Sequence, residues 1–201
     1  MMKSLSYNCM MPIYPLLAQQ CVDDYGLNSG ICLDIGTGKG YVGVEIAKIT
    51  HMSIYFIDID AETVESAKET VAEADIDNEV FFVQADVCKK LPFDDNFADF
   101  IVSRGSIWFW KDVVSGLSEI HRVLKVGGIA FVGGGLSRYA PWTMRERLSG
   151  LHRNMMEKKG GKIISAEQMT NYAIEAGIPS FKVMYDAPGD KGRWIEIQKH
   201  L

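Results

Sequence analysis

The feature that most constrains this chain is an alternation repeated along most of its length: a short apolar run, a turn, then apolar residues at helical spacing. Residues 31–35 form an apolar run followed at once by glycines, after which Val42, Ile46 and Ile49 fall at helical spacing. Residues 53–57 are a second run. Val64, Ala67, Val71 and Ala74 then share one helical face, with Asp60 placed to cap it. Residues 80–83 and 100–102 are the third and fourth runs. Val113, Leu117, Ile120 and Leu124 repeat the helical face, and Gly127 with Gly128 is the expected stop before a fifth run at 129–132. Ser165-x-x-Gln168 is a capping box ahead of Met169, Tyr172, Ala173 and Ala176, with Gly177 and Pro179 as the stop. Between the last two runs, 181–185 and 194–197, lie Gly189 and Gly192 but no helix pattern, which predicts a hairpin.

Five strand–helix units followed by a hairpin predict an α/β fold: a mostly parallel sheet, covered on both faces, with an antiparallel last strand. Ligands in such sheets bind at the carboxyl ends of the strands. Residues 7–26 precede the first strand and read as a short helix with Pro15 in its first turn. Residues 133–159 follow the fifth run and are rich in Arg, Met and Trp. Both can cover the carboxyl edge. The expected division is a single domain, 1–201, with a cap helix at 1–30, a core at 31–135, a candidate lid at 136–160, and a helix and hairpin at 161–201.

A chain of 201 residues can bury ~70% of its unfolded surface without disulfides or a metal staple. Its 21 basic against 26 acidic side chains disfavour a protein that tracks nucleic-acid phosphates. Cys9, Cys21, Cys32 and Cys88 form no CxxC pair and no zinc spacing, so no metal is expected, and free thiols suit a reducing interior. The segment 1–18 is broken by Asn8, Pro12 and Pro15 and does not read as a signal peptide. No apolar run is long enough to span a bilayer. The expectation is a cytoplasmic protein acting on a small molecule, with no nucleic-acid or membrane partner.

The residues just after each run carry the chemistry. After the first the chain reads Leu33-Asp34-Ile35-Gly36-Thr37-Gly38-Lys39-Gly40, a glycine loop that turns tightly and leads into a helix N-terminus able to meet an anion. The second ends in Asp58-Ile59-Asp60. Asp58 lies about twenty residues past the loop, where an acid can accept both hydroxyls of a ribose. The third is followed by Asp86-Val87, an acid able to accept from an adenine amine, or a turn aspartate. The fourth ends in Ser103-Arg104-Gly105-Ser106, facing the same crevice.

Taken together these residues resemble the class I S-adenosylmethionine-dependent methyltransferases. Asp34-x-Gly36-x-Gly38-x-Gly40 resembles that family's first motif, Asp58 its ribose acid, Asp86-Val87 its adenine-contacting pair. Phe97-Ala98-Asp99-Phe100-Ile101-Val102 resembles its fourth strand with Ala98 inserted, and Arg122-Val123-Leu124-Lys125-x-Gly127-Gly128 the lead into the fifth. The resemblance implies a Rossmann-like, doubly wound seven-stranded sheet of order 3-2-1-4-5-7-6. It also implies S-adenosylmethionine as cofactor; the candidate binding residues are Asp34, Gly36, Thr37, Gly38, Gly40, Asp58, Ile59, Asp86 and Val87, with Ser103, Arg104 and Tyr14 added by their place at the same crevice. Asp34 would favour the cationic end of the cofactor, and loop amides would take its carboxylate.

The nearest competitor is a nicotinamide-dependent oxidoreductase, since Gly38-Lys39-Gly40-Tyr41-Val42-Gly43 fits GxGxxG. That register begins too far past the strand, and Asp34 would repel a pyrophosphate. A non-catalytic S-adenosylmethionine-binding regulator is the other alternative. Ser103-Arg104-Gly105-Ser106 is not the Asn/Asp-Pro-Pro-aromatic motif of amino-methylating family members, and Cys88 is misplaced for cytosine chemistry, which points to methyl transfer to a small acceptor.

Several side chains keep two readings. Trp108-Phe109-Trp110 is an apolar substrate wall or loop packing. Arg104 meets an anionic substrate or cofactor carboxylate, or pairs with a surface acid. Arg138, Tyr139, Trp142, Arg145, Arg147, His152 and Arg153 form a cationic lid or, the favoured reading, a solvated helix face. Met144, Leu148, Leu151 and Met155 share a helical face that reads as docking surface. Tyr14 closes over the cofactor or staples the helix start. His51 and His200 read as loop and terminus, His121 as a packed or surface residue, and no catalytic acid or base is assigned.

Overall fold

The computed structural model describes residues 10–158, 160–190 and 192–200 and, within these, all side chains except 152–157. Cys9, the start of the segment at 7–26, Lys159, and the side chains of His152, Arg153 and Met155 therefore lie outside the described residues. In chain order the elements are α1 (Ile13–Tyr25), β1 (Ser29–Ile35), α2 (Tyr41–Ala47), β2 (His51–Asp58), α3 (Ala61–Ala72), β3 (Val80–Gln84), β4 (Ala98–Arg104), a 3-10 turn (Ile107–Phe109), α4 (Val113–Val123), β5 (Leu124–Gly134), α5 (Trp142–Lys158), α6 (Ala166–Glu175), β6 (Phe181–Tyr185) and β7 (Arg193–Gln198).

Among the described residues seven strands form one sheet of order β3-β2-β1-β4-β5-β7-β6, as expected. The strands β1 to β5 pair in parallel, and β7 is antiparallel to both β5 and β6. Strand periodicity divides the interior in two. Cys32, Phe100, Val102, Phe131 and Trp194 face a core with α1 and α2. Leu33, Ile101, Val132 and Ile195 face a second core with α4 and α6. Sequence runs apolar on successive positions because both faces are covered.

Local signals act as read at several ends. Asp60 caps α3 through Glu62 N, and Ser165 with Gln168 forms the full capping box of α6. Pro15 is the third residue of α1, which stops at Gly26 in left-handed backbone (φ 62°).

Three expectations need correction. No helix joins β3 to β4, so the chain does not have five strand–helix units. Pro92, Asp94, Asp95 and Asn96 oppose a helix there, and Asn96 sits at φ 58°. Rings cover the sheet in its place: Phe93 and Phe97 stack at 4.8 Å and meet Tyr55 edge-on at 5.4 and 5.3 Å. Next, α4 ends at Val123 rather than at Gly127 and Gly128, since Leu124 is already extended (ψ 133°) and pairs with Ala98. The glycines instead form an irregularity between β4 and β5, where the register shifts between Ala98 and Phe100. A Cβ on Gly128 would lie 2.9 Å from Asp99 O and from Lys125 O. Finally, His51 is the exposed first residue of β2, not a loop residue.

The carboxyl end of β5 is built from glycines because two indoles crowd it. A Cβ on Gly134 would lie 2.8 Å from Trp108 Nε1, and one on Gly135 would lie 2.4 Å from Trp194 Nε1. Gly133 is at φ 155°, and its Cβ would meet backbone, Arg193 O, at 2.3 Å. Gly133→Ala is expected to destabilise the fold by about 2–3 kcal/mol, since backbone on the paired strand cannot yield cheaply. Urea denaturation measures it, and an unchanged midpoint would contradict the packing described.

Candidate active site at the strand ends

The glycine loop connects β1 to α2 and is held from below. Gly36, Gly38 and Gly40 all take left-handed backbone, at φ 66°, 59° and 80°. Internal packing adds its own demand at Gly36, where a Cβ would lie 2.2 Å from Ser106 Cβ. The amides of Gly36 and Thr37 both donate to Ile57 O at 2.8 and 3.0 Å, and Gly40 N donates to Thr37 O at 2.9 Å. Gly38 N donates to Asp58 Oδ2 at 3.1 Å. The amides of Gly36, Thr37, Gly38 and Gly40 each have an acceptor within the protein.

Asp34 is 1% exposed. Its Oδ2 accepts from Thr37 Oγ1 at 2.7 Å and from Gly43 N at 3.0 Å. One carboxylate oxygen thus ties the end of β1 to the loop and to the first turn of α2. Burial drives the Asp34 carboxyl up to about 6, against the two hydrogen bonds that lower it.

Asp58 ends β2 and is half-buried. Its Oδ2 receives Gly38 N and its Oδ1 receives Asp60 N at 3.2 Å. Burial again raises its pKa above the usual carboxylate value, and these bonds oppose the rise. Beside it Ile59 is 58% exposed, an apolar side chain left uncovered at the sheet edge. On the neighbouring strand Gln84 Nε2 donates to Ile59 O at 3.2 Å and Ala85 N to Asp58 O at 2.9 Å, which fixes the start of the loop carrying Asp86. Asp86 Oδ1 accepts from Cys88 N at 3.0 Å, a turn bond, while Val87 is buried in the second core.

On the other side of β1, Ser103 is fully buried and its Oγ lies 2.5 Å from Ser106 Oγ. Ser106 also contacts Ile35 O at 3.3 Å and receives Trp110 Nε1 at 3.1 Å. Trp108 is buried against Gly134, and Phe109 is the exposed member of the aromatic run. Two of these three rings are therefore packing. Arg104 Nε donates to Gly135 O at 3.2 Å, and its guanidinium lies 5.3 Å from the centre of the buried Tyr14 ring. Tyr14 in turn lies 5.2 Å from Tyr41 of α2.

The segment after β5 is fastened to the cap helix. Ser137 Oγ and Arg138 N both donate to the buried Gln20 side chain, at 2.9 and 3.0 Å. Arg138 forms a two-pronged ion pair with Asp24, and Tyr139 donates to Asp23 at 2.8 Å. Arg145 pairs with Asp190 at 2.9 Å. Arg138 and Arg145 thus clamp structure rather than form a cationic lid. Gln20, Ser137 and Asp186 carry this end of the molecule without having been singled out; their partners are distant in sequence and leave no motif. Asp186 accepts from Leu136 N at 2.6 Å and from Trp194 Nε1 at 2.9 Å. His51 sits at the opposite edge of the sheet and His121 on α4, away from the strand ends.

Asp34→Asn gives a test of the buried carboxylate. The folded pKa lies above the unfolded value of 3.8, so the folded state binds more protons between about pH 4 and 6 and loses stability as pH rises through that window. A neutral amide can accept both donors without this loss. The melting temperature of Asp34→Asn relative to the parent is expected to be higher at about pH 7.5 than at about pH 4.5. A difference independent of pH would contradict the raised pKa.

The similarity to known proteins agrees with this geometry. A family model described as a methyltransferase domain matches residues 33–132. The ubiquinone/menaquinone biosynthesis C-methyltransferase UbiE of Geobacter sp. (strain M21) is 36% identical over 110 residues, 53% of this chain and 46% of that one. The mitochondrial arginine-hydroxylase NDUFAF5 of Mus musculus is 31% identical over 140 residues, 70% of this chain and 38% of that one. The chain thus spans about half or less of the length of these curated relatives. A solved structure from Methanococcus maripaludis, assigned as an S-adenosyl-L-methionine-dependent methyltransferase, is 34% identical with a TM-score of 0.84 and covers 100% of this chain and 91% of that one. By strand order, by the motifs at the strand ends and by this homologue matched over nearly its whole length, the chain belongs to the class I S-adenosylmethionine-dependent methyltransferases.

Proposed function

We propose that this chain transfers a methyl group from S-adenosylmethionine to a small-molecule acceptor. The observation that carries the reading is the bond from Gly38 to Asp58, which brings a half-buried carboxylate onto the glycine loop beside the exposed Ile59. An acceptor for two hydroxyls next to an uncovered apolar surface is the donor set a nucleoside needs. Asp86, one oxygen of which is held by Cys88 N, stands one strand further along. The residues fit an adenosyl group laid across the ends of β1, β2 and β3.

When bound, S-adenosylmethionine supplies a methyl on a cationic sulfur, already activated for displacement. What remains for the chain is alignment and exclusion of water. In this reading Asp58 and Ile59 position the ribose, and Asp86 with Val87 positions the base. Asp34 acts through the loop it fixes and through its negative charge near the cationic end. Thr37 and the three loop glycines shape the floor, and Ser103 holds Ser106 against Gly36. The Arg104 guanidinium and the Tyr14 ring, both expected among the cofactor contacts, lie 5.3 Å apart at the end of β4. The segment 136–158, fastened to α1 through Gln20 and Asp24, covers the carboxyl edge as a lid. No general base is assigned, and none is needed for an acceptor already deprotonated.

The nicotinamide reading is disfavoured by the loop, whose amides at Gly36, Thr37, Gly38 and Gly40 are engaged internally, and by Asp34 behind it. Among the described residues no helix is long and apolar enough to cross a membrane; we place the protein in the cytoplasm.

Incubation with methyl-labelled S-adenosylmethionine and pooled metabolites is expected to label a small product bearing an added methyl by mass. A hydroxylated product, or binding with no transfer to any pool, would overturn the reading. Asp58→Ala is expected to weaken S-adenosylhomocysteine binding ~10-fold or more, since a charge-assisted hydrogen bond contributes ~1.5–3 kcal/mol. Unchanged affinity by calorimetry would remove Asp58 from the site.

A further inference from the structure

Arg104 ends β4 on the side of β1 away from Asp58 and Asp86. Among the described residues Nε has the one protein acceptor of its three guanidinium nitrogens, Gly135 O at 3.2 Å, and Nη2 is buried without a hydrogen-bond partner among them. The terminal edge of the guanidinium, the edge that grips carboxylates in two-pronged fashion, is therefore left unmatched. Buried donors in native proteins nearly always have partners, and a charged one has most to lose without it.

The nearest acid in the same region does not fill the need. Asp186, whose oxygens accept from Leu136 N and Trp194 Nε1, interacts with the Arg104 charge through space but makes no ion pair with it. By contrast the other arginines of this end, Arg138 and Arg145, are each paired with a carboxylate. What holds Arg104 in place is weak and directional: one bond to a carbonyl at the end of β5 and the face of the Tyr14 ring. That arrangement orients the guanidinium while leaving it without a carboxylate in direct contact among the described residues.

We propose that Arg104 is an oxyanion receptor that selects a methyl acceptor carrying a carboxylate. The proposal rests on the methyltransferase reading above and names the substrate class. Placement favours the acceptor as source of the anion. Arg104 is bounded by β5 and the cap helix, whereas the nucleoside-binding acids lie at the ends of β2 and β3. The cofactor's own carboxylate is the other source of the same chemistry.

The test uses the full chain, with Arg104→Gln and, in case that variant loses its cooperative melt, Arg104→Lys, which keeps the charge but not the fork. Calorimetry would measure three probes: S-adenosylhomocysteine; methylthioadenosine, which lacks the amino-acid arm; and benzoate, titrated with and without S-adenosylhomocysteine. The expected result is a tenfold or greater loss of benzoate affinity in the variant with both nucleosides bound within twofold of the parent. A tenfold loss for S-adenosylhomocysteine alone, with methylthioadenosine and benzoate unchanged, would keep the receptor but overturn the acceptor assignment in favour of the cofactor carboxylate. Variant affinities equal to the parent's for all three probes would overturn the receptor itself. A parent that binds neither nucleoside would instead sink the methyltransferase reading, and benzoate on the nucleoside-free parent would still report on Arg104.

Discussion

A single buried carboxylate oxygen organises the functional end of this protein. Asp34 Oδ2 accepts from Thr37 in the loop and from Gly43 in the first turn of α2, so the end of β1, the glycine loop and the next helix are fixed relative to one another at one point. Removing the charge from water is unfavourable, and the carboxyl's rise to about 6 records that. The amides of Gly36, Thr37, Gly38 and Gly40 are turned inward, to Ile57 O, Thr37 O and Asp58.

From that anchor the two halves of the cleft take different characters. Towards β2 and β3 the strand ends carry carboxylates and an uncovered isoleucine. Towards β4 and β5 they carry a guanidinium held by a carbonyl, buried indoles and glycines that make room for them. A nucleoside with hydroxyls and an amine suits the first half. The second half suits a partner with an anionic group. The cap helix spans the division, since Tyr14 lies on Arg104 at one end while Gln20 and Asp24 hold the segment after β5 at the other.

Short-range rules predicted the strands and the capping of α3 and α6, because a period and a cap are local; the strand order was implied by the family resemblance and is the order of the sheet. Those rules misplaced what depends on distant contacts. Leu124 satisfies helical spacing, yet its pairing with Ala98 extends it and turns Gly127 and Gly128 into a bulge. The stretch between β3 and β4 is covered by Phe93 and Phe97 stacked on one another, which no helical pattern reports. Arg138 meets Asp24 across 114 residues, and Gly133, Gly134 and Gly135 are glycine because of Trp108 and the strand that carries Trp194. The glycine loop lies between β1 and α2 as read, but the internal bonds of four of its amides leave no mark in the sequence.

The central claim is that an adenosyl group lies across the ends of β1, β2 and β3. The most direct measurement is a crystal structure of the full chain with S-adenosylhomocysteine. The account predicts ribose hydroxyls on Asp58, the ring beside Asp86 and Val87, and a glycine loop unmoved from the geometry described. The nucleoside bound elsewhere, for example in the open groove of ≈ 660 Å³ between Cys88 and Arg122, or a loop that must unfold its internal bonds to accept it, would contradict the account.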